Sequence, residues 1–206
     1  MDNYVITIAR EYGSGGKTIG KMLADHLGIP CYDMEILRMA SDDSGINEQL
    51  FAKSDEQLKR PIFFKPSRSV YTDELIPPGS KNFVSEENLF NYQAKIIKML
   101  ADKESCVIIG RCADFVLKDR PNVLKVYVHA PFENCVKTTM EIRNLDQAEA
   151  EKFVRKVDKS RGDYYRYFTG RDWKDADNYD LCLDSATLGW EKCMQIVKAY
   201  LEIKMS

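Results

Sequence analysis

Ile8-Ala-Arg-Glu-Tyr-Gly-Ser-Gly-Gly-Lys-Thr-Ile-Gly20 joins two contrasting stretches. Before it lies a short apolar run, Tyr4-Val5-Ile6-Thr7-Ile8-Ala9, which reads as a buried strand. After it, in Thr18-Ile-Gly-Lys-Met-Leu-Ala-Asp-His-Leu27, the residues Ile19, Met22, Leu23 and Leu27 recur at helical spacing. Strand, glycine-rich turn and a helix opening on Lys-Thr form the context of a phosphate-binding loop. Glycines let successive N–H groups point into one concavity, and the helix N-terminus adds partial positive charge. Gly13, Ser14, Gly15, Gly16, Lys17 and Thr18 are therefore the expected phosphate cradle. Lys17 would reach terminal phosphates, and the Thr18 hydroxyl would offer Mg²⁺ an oxygen ligand. Glu11 stands where the loop pattern asks for glycine. A carboxylate there has to face solvent or pair with a cation such as Arg10.

The chain has 206 residues, enough for one α/β domain with an inserted subregion, and 44% hydrophobic residues suffice for a core. A net charge of −2 provides no global attraction to nucleic acid or anionic membranes, so neither is an expected partner. No apolar stretch reaches transmembrane length, and Met-Asp-Asn-Tyr does not look like a secretory signal, so the expected location is the cytoplasm. The six cysteines contain no Cys-x-x-Cys pair and read as reduced, buried small hydrophobes. His26 and His129 lack any cysteine pair at ligand spacing, which argues against zinc, and His129 reads as packed or solvated.

Along the chain, Gly28-Ile-Pro-Cys-Tyr-Asp33 reads as a helix stop followed by a second strand ending in a carboxylate. Asp33 either caps a helix starting at Met34, or binds a substrate hydroxyl or orders a nucleophile at the ligand crevice. A polar helical stretch from Met34 to about Lys59 is broken near Asp42-Asp43-Ser44-Gly45, with Ser44 or Asn47 as the second cap. Residues 60–84 form a proline-rich loop carrying Phe63, Phe64, Lys65, Arg68 and Tyr71, suited to closing over substrate, to a dimer contact or to a free flap. A helix capped by Ser85 runs to Lys103, and Cys106-Val-Ile-Ile-Gly-Arg111 is a central parallel strand. Arg111 either presents its fork to a phosphate at the crevice or pairs with Asp114. Val123–His129 is the next strand, and a capping box at Asp146 and Glu149 opens a long helix. Arg155, Lys156, Lys159, Arg161, Arg166 and Arg171, interleaved with aromatics and followed by a turn with Gly162 and Gly170, suit either a solvated face or a lid over phosphates. Residues 178–184 form a fifth strand, and Trp190 to Ile203 a closing helix.

Ile6-Thr-Ile-Ala-Arg-Glu-Tyr-Gly-Ser-Gly-Gly-Lys, Ile29-Pro-Cys-Tyr-Asp33, Ile109-Gly-Arg111 and Tyr179-Asp-Leu-Cys-Leu-Asp-Ser185 resemble the cytidylate-kinase-like family of P-loop kinases over nearly the whole chain. The resemblance implies an α/β, three-layer P-loop kinase fold with a five-stranded parallel sheet. Residues 34–84 would be the acceptor-side insert and 146–174 an arginine-rich lid within a single domain. It implies transfer of phosphate from ATP, with Mg²⁺, to a small acceptor, a nucleotide such as CMP or dCMP. On this basis Lys17, Arg111, Arg161 and Arg166 are candidate catalytic residues, and Asp33, Arg38 and Arg111 candidate acceptor-binding ones. The chain departs from cytidylate kinases at Glu11, at Met34-Glu-Ile-Leu-Arg38 and in the loop 60–84, and Ile109-Gly110 holds no aspartate to order the metal. A non-catalytic nucleotide-binding regulator and a kinase of another small molecule are the alternatives, as a monomer or a homodimer.

Overall fold

The computed structural model describes residues 3–56 and 70–205. Five strands lie in one parallel sheet of order β2-β3-β1-β4-β5: β1 Val5–Arg10, β2 Cys31–Tyr32, β3 Cys106–Ile109, β4 Val123–His129 and β5 Leu181–Asp184. Side chains alternate between the sheet's two faces. Ile6 and Ile8 of β1, Val107 and Ile109 of β3, and Leu124, Val126 and Val128 of β4 meet Ile19 and Leu23 of α1 (Gly16–Leu27). Met194, Val197 and Leu201 of α9 (Trp190–Lys204) complete that layer. Their neighbours Val5, Ala9, Cys106, Ile108 and Tyr127 pack on the opposite layer. That layer comprises α2 (Glu35–Ser44), α3 (Glu48–Ser54), α4 (Glu86–Lys103), α5 (Ala113–Val116) and the second half of α7 (Gln147–Thr169). The first half of α7 packs on α6 (Phe132–Arg143) through Val136, Ala150 and Val154. Each fully buried aliphatic side chain contributes about 1.5–3 kcal/mol, so the two-faced strands supply the main driving force.

Local signals behave as their chemistry requires. Ser85 accepts from the Asn88 N–H at the start of α4, Asn47 from Gln49 at the start of α3, and Asp146 and Glu149 close a capping box on α7. α8 (Ser185–Leu188) is capped by Asp184, and Gly45, with φ 71°, ends α2.

Several expectations need correction. The turn expected near Gly162 does not exist: α7 runs unbroken through it, because Tyr164, Tyr165 and Phe168 are buried in the core and hold the helix down. Phe168 stacks on Phe90 of α4 with centroids 4.0 Å apart. Tyr71 is no free flap residue, since its ring packs edge-on to Phe90 and Phe115. Phe63, Phe64, Lys65 and Arg68 lie outside the described residues. All six cysteines are free, but Cys182 is exposed and Cys31 half-buried, because β5 and β2 are the edge strands. The fifth strand starts at Leu181, since a 3₁₀ turn occupies Ala176–Asn178. Trp190 is partly exposed and faces the loop after β1 rather than the core.

Asp114 is buried in this layer, accepting the Tyr165 hydroxyl at 2.6 Å. Burial pushes its carboxyl up to about 6. A raised acid favours the folded state below its ordinary range, and that advantage is lost as pH rises through about 6. Asp114→Asn cannot ionise, so the mutant should gain on the wild type by up to about 3 kcal/mol between pH 4 and pH 7.5. Denaturant unfolding at both pH values checks this, and a pH-independent difference would contradict it.

Candidate active site

The chain leaves β1 towards β2 and leaves its neighbour β3 towards β4, in opposite directions, which opens a crevice beyond the strands' carboxyl ends. The phosphate cradle sits there. Gly13 and Gly15 hold φ of 82° and 81°, values that side chains rarely tolerate. A Cβ at Gly13 would strike the backbone of Cys135, one at Gly15 the Trp190 indole, and one at Gly16 the Arg10 side chain. The loop is thus closely packed beneath, while its N–H groups head α1 with no side-chain cap. Ser14 is buried and structural: its hydroxyl donates to the carbonyls of Glu11 at 2.9 Å and Val128 at 3.1 Å. Lys17 and Thr18 stand in the first turn of α1. This cradle fits a chain of phosphates, with Thr18 available to a cation beside them.

Glu11 does pair with a cation, but with Lys174 rather than Arg10, and it also accepts from the Ala130 N–H at 3.4 Å. That arrangement keeps its charge off the loop's interior.

On the other side of the crevice stands a buried charge cluster. Asp33 does not cap α2; its carboxylate lies 2.6 Å from Lys17 Nζ and 2.7 Å from Arg111 Nη1. Burial opposes its ionisation, yet Arg111 and Lys17 hold it below the ordinary carboxylate range. Arg111 is 2% exposed and does not pair with Asp114; its second Nη lies 3.1 Å from Asp55, and its backbone N–H donates to Glu56 at 3.2 Å. Gly110, Arg111 and Cys112 all have positive φ, 70°, 56° and 53°, which turns that N–H towards the carboxylate. Glu56 also pairs with Arg10 and, at 2.9 Å, with Arg161 Nε. Burial raises Glu56, but Arg10 and Arg161 overcome it and leave the carboxyl far below its usual value. Asp55 ends with the opposite balance: burial outweighs Arg111 and pushes it up to about 6.

The expected lid helix is fastened to this cluster. Asp158 accepts the Tyr12 N–H at 2.8 Å, Ser160 donates to the Glu56 carbonyl at 3.2 Å, and Arg161 Nη1 donates to the Arg10 carbonyl at 3.3 Å. Of the nominated residues, the fold brings Lys17, Asp33, Arg111 and Arg161 together. Arg166 pairs instead with Asp172, and Arg38 lies on the exposed face of α2 beside Asp42. Arg10, Asp55, Glu56 and Lys174 enter the crevice without having been nominated. Arg10 adjoins the loop motif and was in reach; Glu56 was not, because it closes a polar helical stretch with no spacing signal. Beyond the ends of β4 and β5 a cleft of about 440 Å³ opens beside the loop, lined by Glu11, Tyr127, His129, Lys174, Cys182 and Asp184.

Chains that set such a loop opposite an arginine-lined crevice on a parallel sheet form the class of P-loop kinases. Residues 5–187 match the cytidylate kinase-like family, and this chain belongs to it. It is 25% identical to the cytidylate kinase of Methanopyrus kandleri over 199 residues, covering 96% of this chain and 93% of that one. An uncharacterized protein from Eubacterium ventriosum ATCC 27560 has the same fold, with a TM-score of 0.70, 24% identity and 97% and 99% of the two chains covered. The shikimate kinase of Bacteroides thetaiotaomicron also shares it, at a TM-score of 0.55, 13% identity and 97% and 98% coverage. The protein is an ATP-dependent kinase that transfers a phosphoryl group to a small acceptor. Among the described residues no helix is long and apolar enough to cross a membrane.

Because the Trp190 indole lies against Gly15, occupation of the loop should alter its emission. Titrating Mg·ATP into the wild type should change tryptophan fluorescence saturably, and Trp190→Phe should lose the change. An undiminished change in that variant would place the reporter, and the ligand, elsewhere.

Proposed function

We propose that this kinase phosphorylates a nucleoside monophosphate in the cytoplasm, with CMP and dCMP the foremost acceptors, using ATP and Mg²⁺. The observation that carries this reading is the meeting of Lys17 and Arg111 on one carboxylate, Asp33, at 2.6 and 2.7 Å. A loop lysine and an acceptor-side arginine are thereby held on either side of a single point in the crevice. The similarity to a cytidylate kinase supports the choice of acceptor.

In this mechanism Lys17 leaves Asp33 to bind the donor's terminal phosphate, and the loop N–H groups hold the rest of the triphosphate. Asp33, so released, accepts a hydrogen bond from an acceptor hydroxyl. Arg111 binds the acceptor's phosphate, and Arg161 adds positive charge where negative charge accumulates. Thr18 would hold Mg²⁺, which would supply positive charge to offset that of the phosphates. The cleft beside Glu11 and His129 takes the donor's nucleoside. Arg38 and Arg166, held outside the cluster, have no part in these steps.

The test is ADP release from Mg·ATP with CMP, dCMP, UMP and AMP. Turnover with CMP or dCMP is expected, and Lys17→Ala should lower kcat on the order of a hundredfold or more while the unfolding midpoint stays put. Turnover with none of the four would overturn the acceptor assignment; unaltered kcat in Lys17→Ala would remove the loop lysine from the mechanism.

A further inference from the structure

Arg10, Arg111 and Arg161 converge on a carboxylate that the chain itself supplies. Glu56 receives Arg10 Nη1, Arg161 Nε at 2.9 Å and the Arg111 backbone N–H at 3.2 Å. To reach this place its backbone takes a φ of 49°, in the left-handed region that a glutamate rarely adopts. The arrangement is nevertheless incomplete. Arg111 Nε and the Tyr164 hydroxyl are buried and have no hydrogen-bond partner among the described residues. Both residues line a cavity of about 20 Å³ that Glu56, Arg10 and Arg161 also line. A buried donor without a partner is costly, so the site is stocked with more donors than its occupant can use. Five are present: Arg10 Nη1, Arg161 Nε, Arg111 N, Arg111 Nε and the Tyr164 hydroxyl. A carboxylate has two oxygens and one charge. A phosphate monoester has three terminal oxygens and nearly two charges.

We propose that Glu56 is a surrogate for the acceptor's phosphate, which displaces it and is bound by Arg10 and Arg161 together with Arg111. This rests on the acceptor being a phosphate monoester, as read above, and adds to it two binding residues and a built-in competitor. The competitor sets specificity. A group with a single charge gains nothing over the carboxylate already present, whereas a dianion gains both charge and the two idle donors. Glu56 therefore raises the acceptor's KM and excludes acceptors that carry only a hydroxyl or a lone carboxylate.

Inorganic phosphate is the probe, without ATP or acceptor, measured by calorimetry in wild type, Glu56→Gln and Lys17→Ala/Glu56→Gln at matched ionic strength. Glu56→Gln should bind phosphate at least tenfold more tightly than the wild type. The increment should persist without Lys17, which separates it from the loop, and vanish in Arg161→Gln/Glu56→Gln. In kinetics, Glu56→Gln should lower the KM for CMP and leave that for ATP unchanged. If uncompensated arginines keep Glu56→Gln from folding, phosphate should restore its folding, and Glu56→Asp, shorter by one methylene, should bind phosphate more tightly than the wild type. Equal phosphate affinity in the wild type and the folded Glu56 variants would overturn the proposal. Since calorimetry needs no turnover, absence of CMP kinase activity with a normal phosphate increment would sink the acceptor assignment alone.

Discussion

Arg111, only 2% exposed, is held at the end of β3 by carboxylates from two other places in the chain: its guanidinium meets Asp33 and Asp55, and its backbone N–H donates to Glu56. Removing an arginine from water costs several kcal/mol, which only close and well-oriented partners offset. Asp33 fixes the end of β2 to Arg111, Asp55 and Glu56 fix the chain just beyond α3, and Arg161 ties α7 to the same point. Loss of Arg111 would leave Asp55 buried without its cation, whereas Asp33 and Glu56 each keep a second one. This network thus links the end of β2, the chain beyond α3 and α7 around the crevice, while the hydrophobic layers hold the sheet and its covering helices.

The same network fastens the arginine-bearing helix to the crevice. Its aromatic residues Tyr164, Tyr165 and Phe168 are core, and Asp158, Ser160 and Arg161 bond to the loop and to Glu56. In this structure the helix is therefore anchored to the loop and to Glu56 through residues 158–161. Functional tension shows instead in the backbone: three successive positive φ values at Gly110, Arg111 and Cys112, with Glu56 also left-handed, at the place where anions gather.

The chain belongs to the cytidylate kinase-like family and shares its fold with a shikimate kinase. A fold hosts several acceptors, and the residues facing the loop choose among them. Here those residues form a balanced set: Lys17, Arg10, Arg111 and Arg161 against Asp33, Asp55, Glu56 and Asp158. In the proposed reading, selectivity comes from exchange of one anion for another more than from a standing excess of positive charge.

Local chemistry made much of this legible from residues alone. Strand periods, the glycines at 13, 15 and 16 with Lys17, and the caps at Ser85 and Asp146 each act within a few neighbouring residues, so the strand–loop–helix unit and the parallel sheet could be read in order. Asp33 and Arg111 were legible as crevice residues because they end strands. Their partners were not. Glu11 meets Lys174 across 163 positions, and Glu56 meets Arg161 across 105. Periodicity shows that a residue is buried or exposed, but not which distant charge it meets. Thus the sequence by itself determined the loop, the layers and the class of chemistry, while only the tertiary structure decided that the arginines close on Glu56, because ion pairing depends on where segments far apart in the chain come to lie.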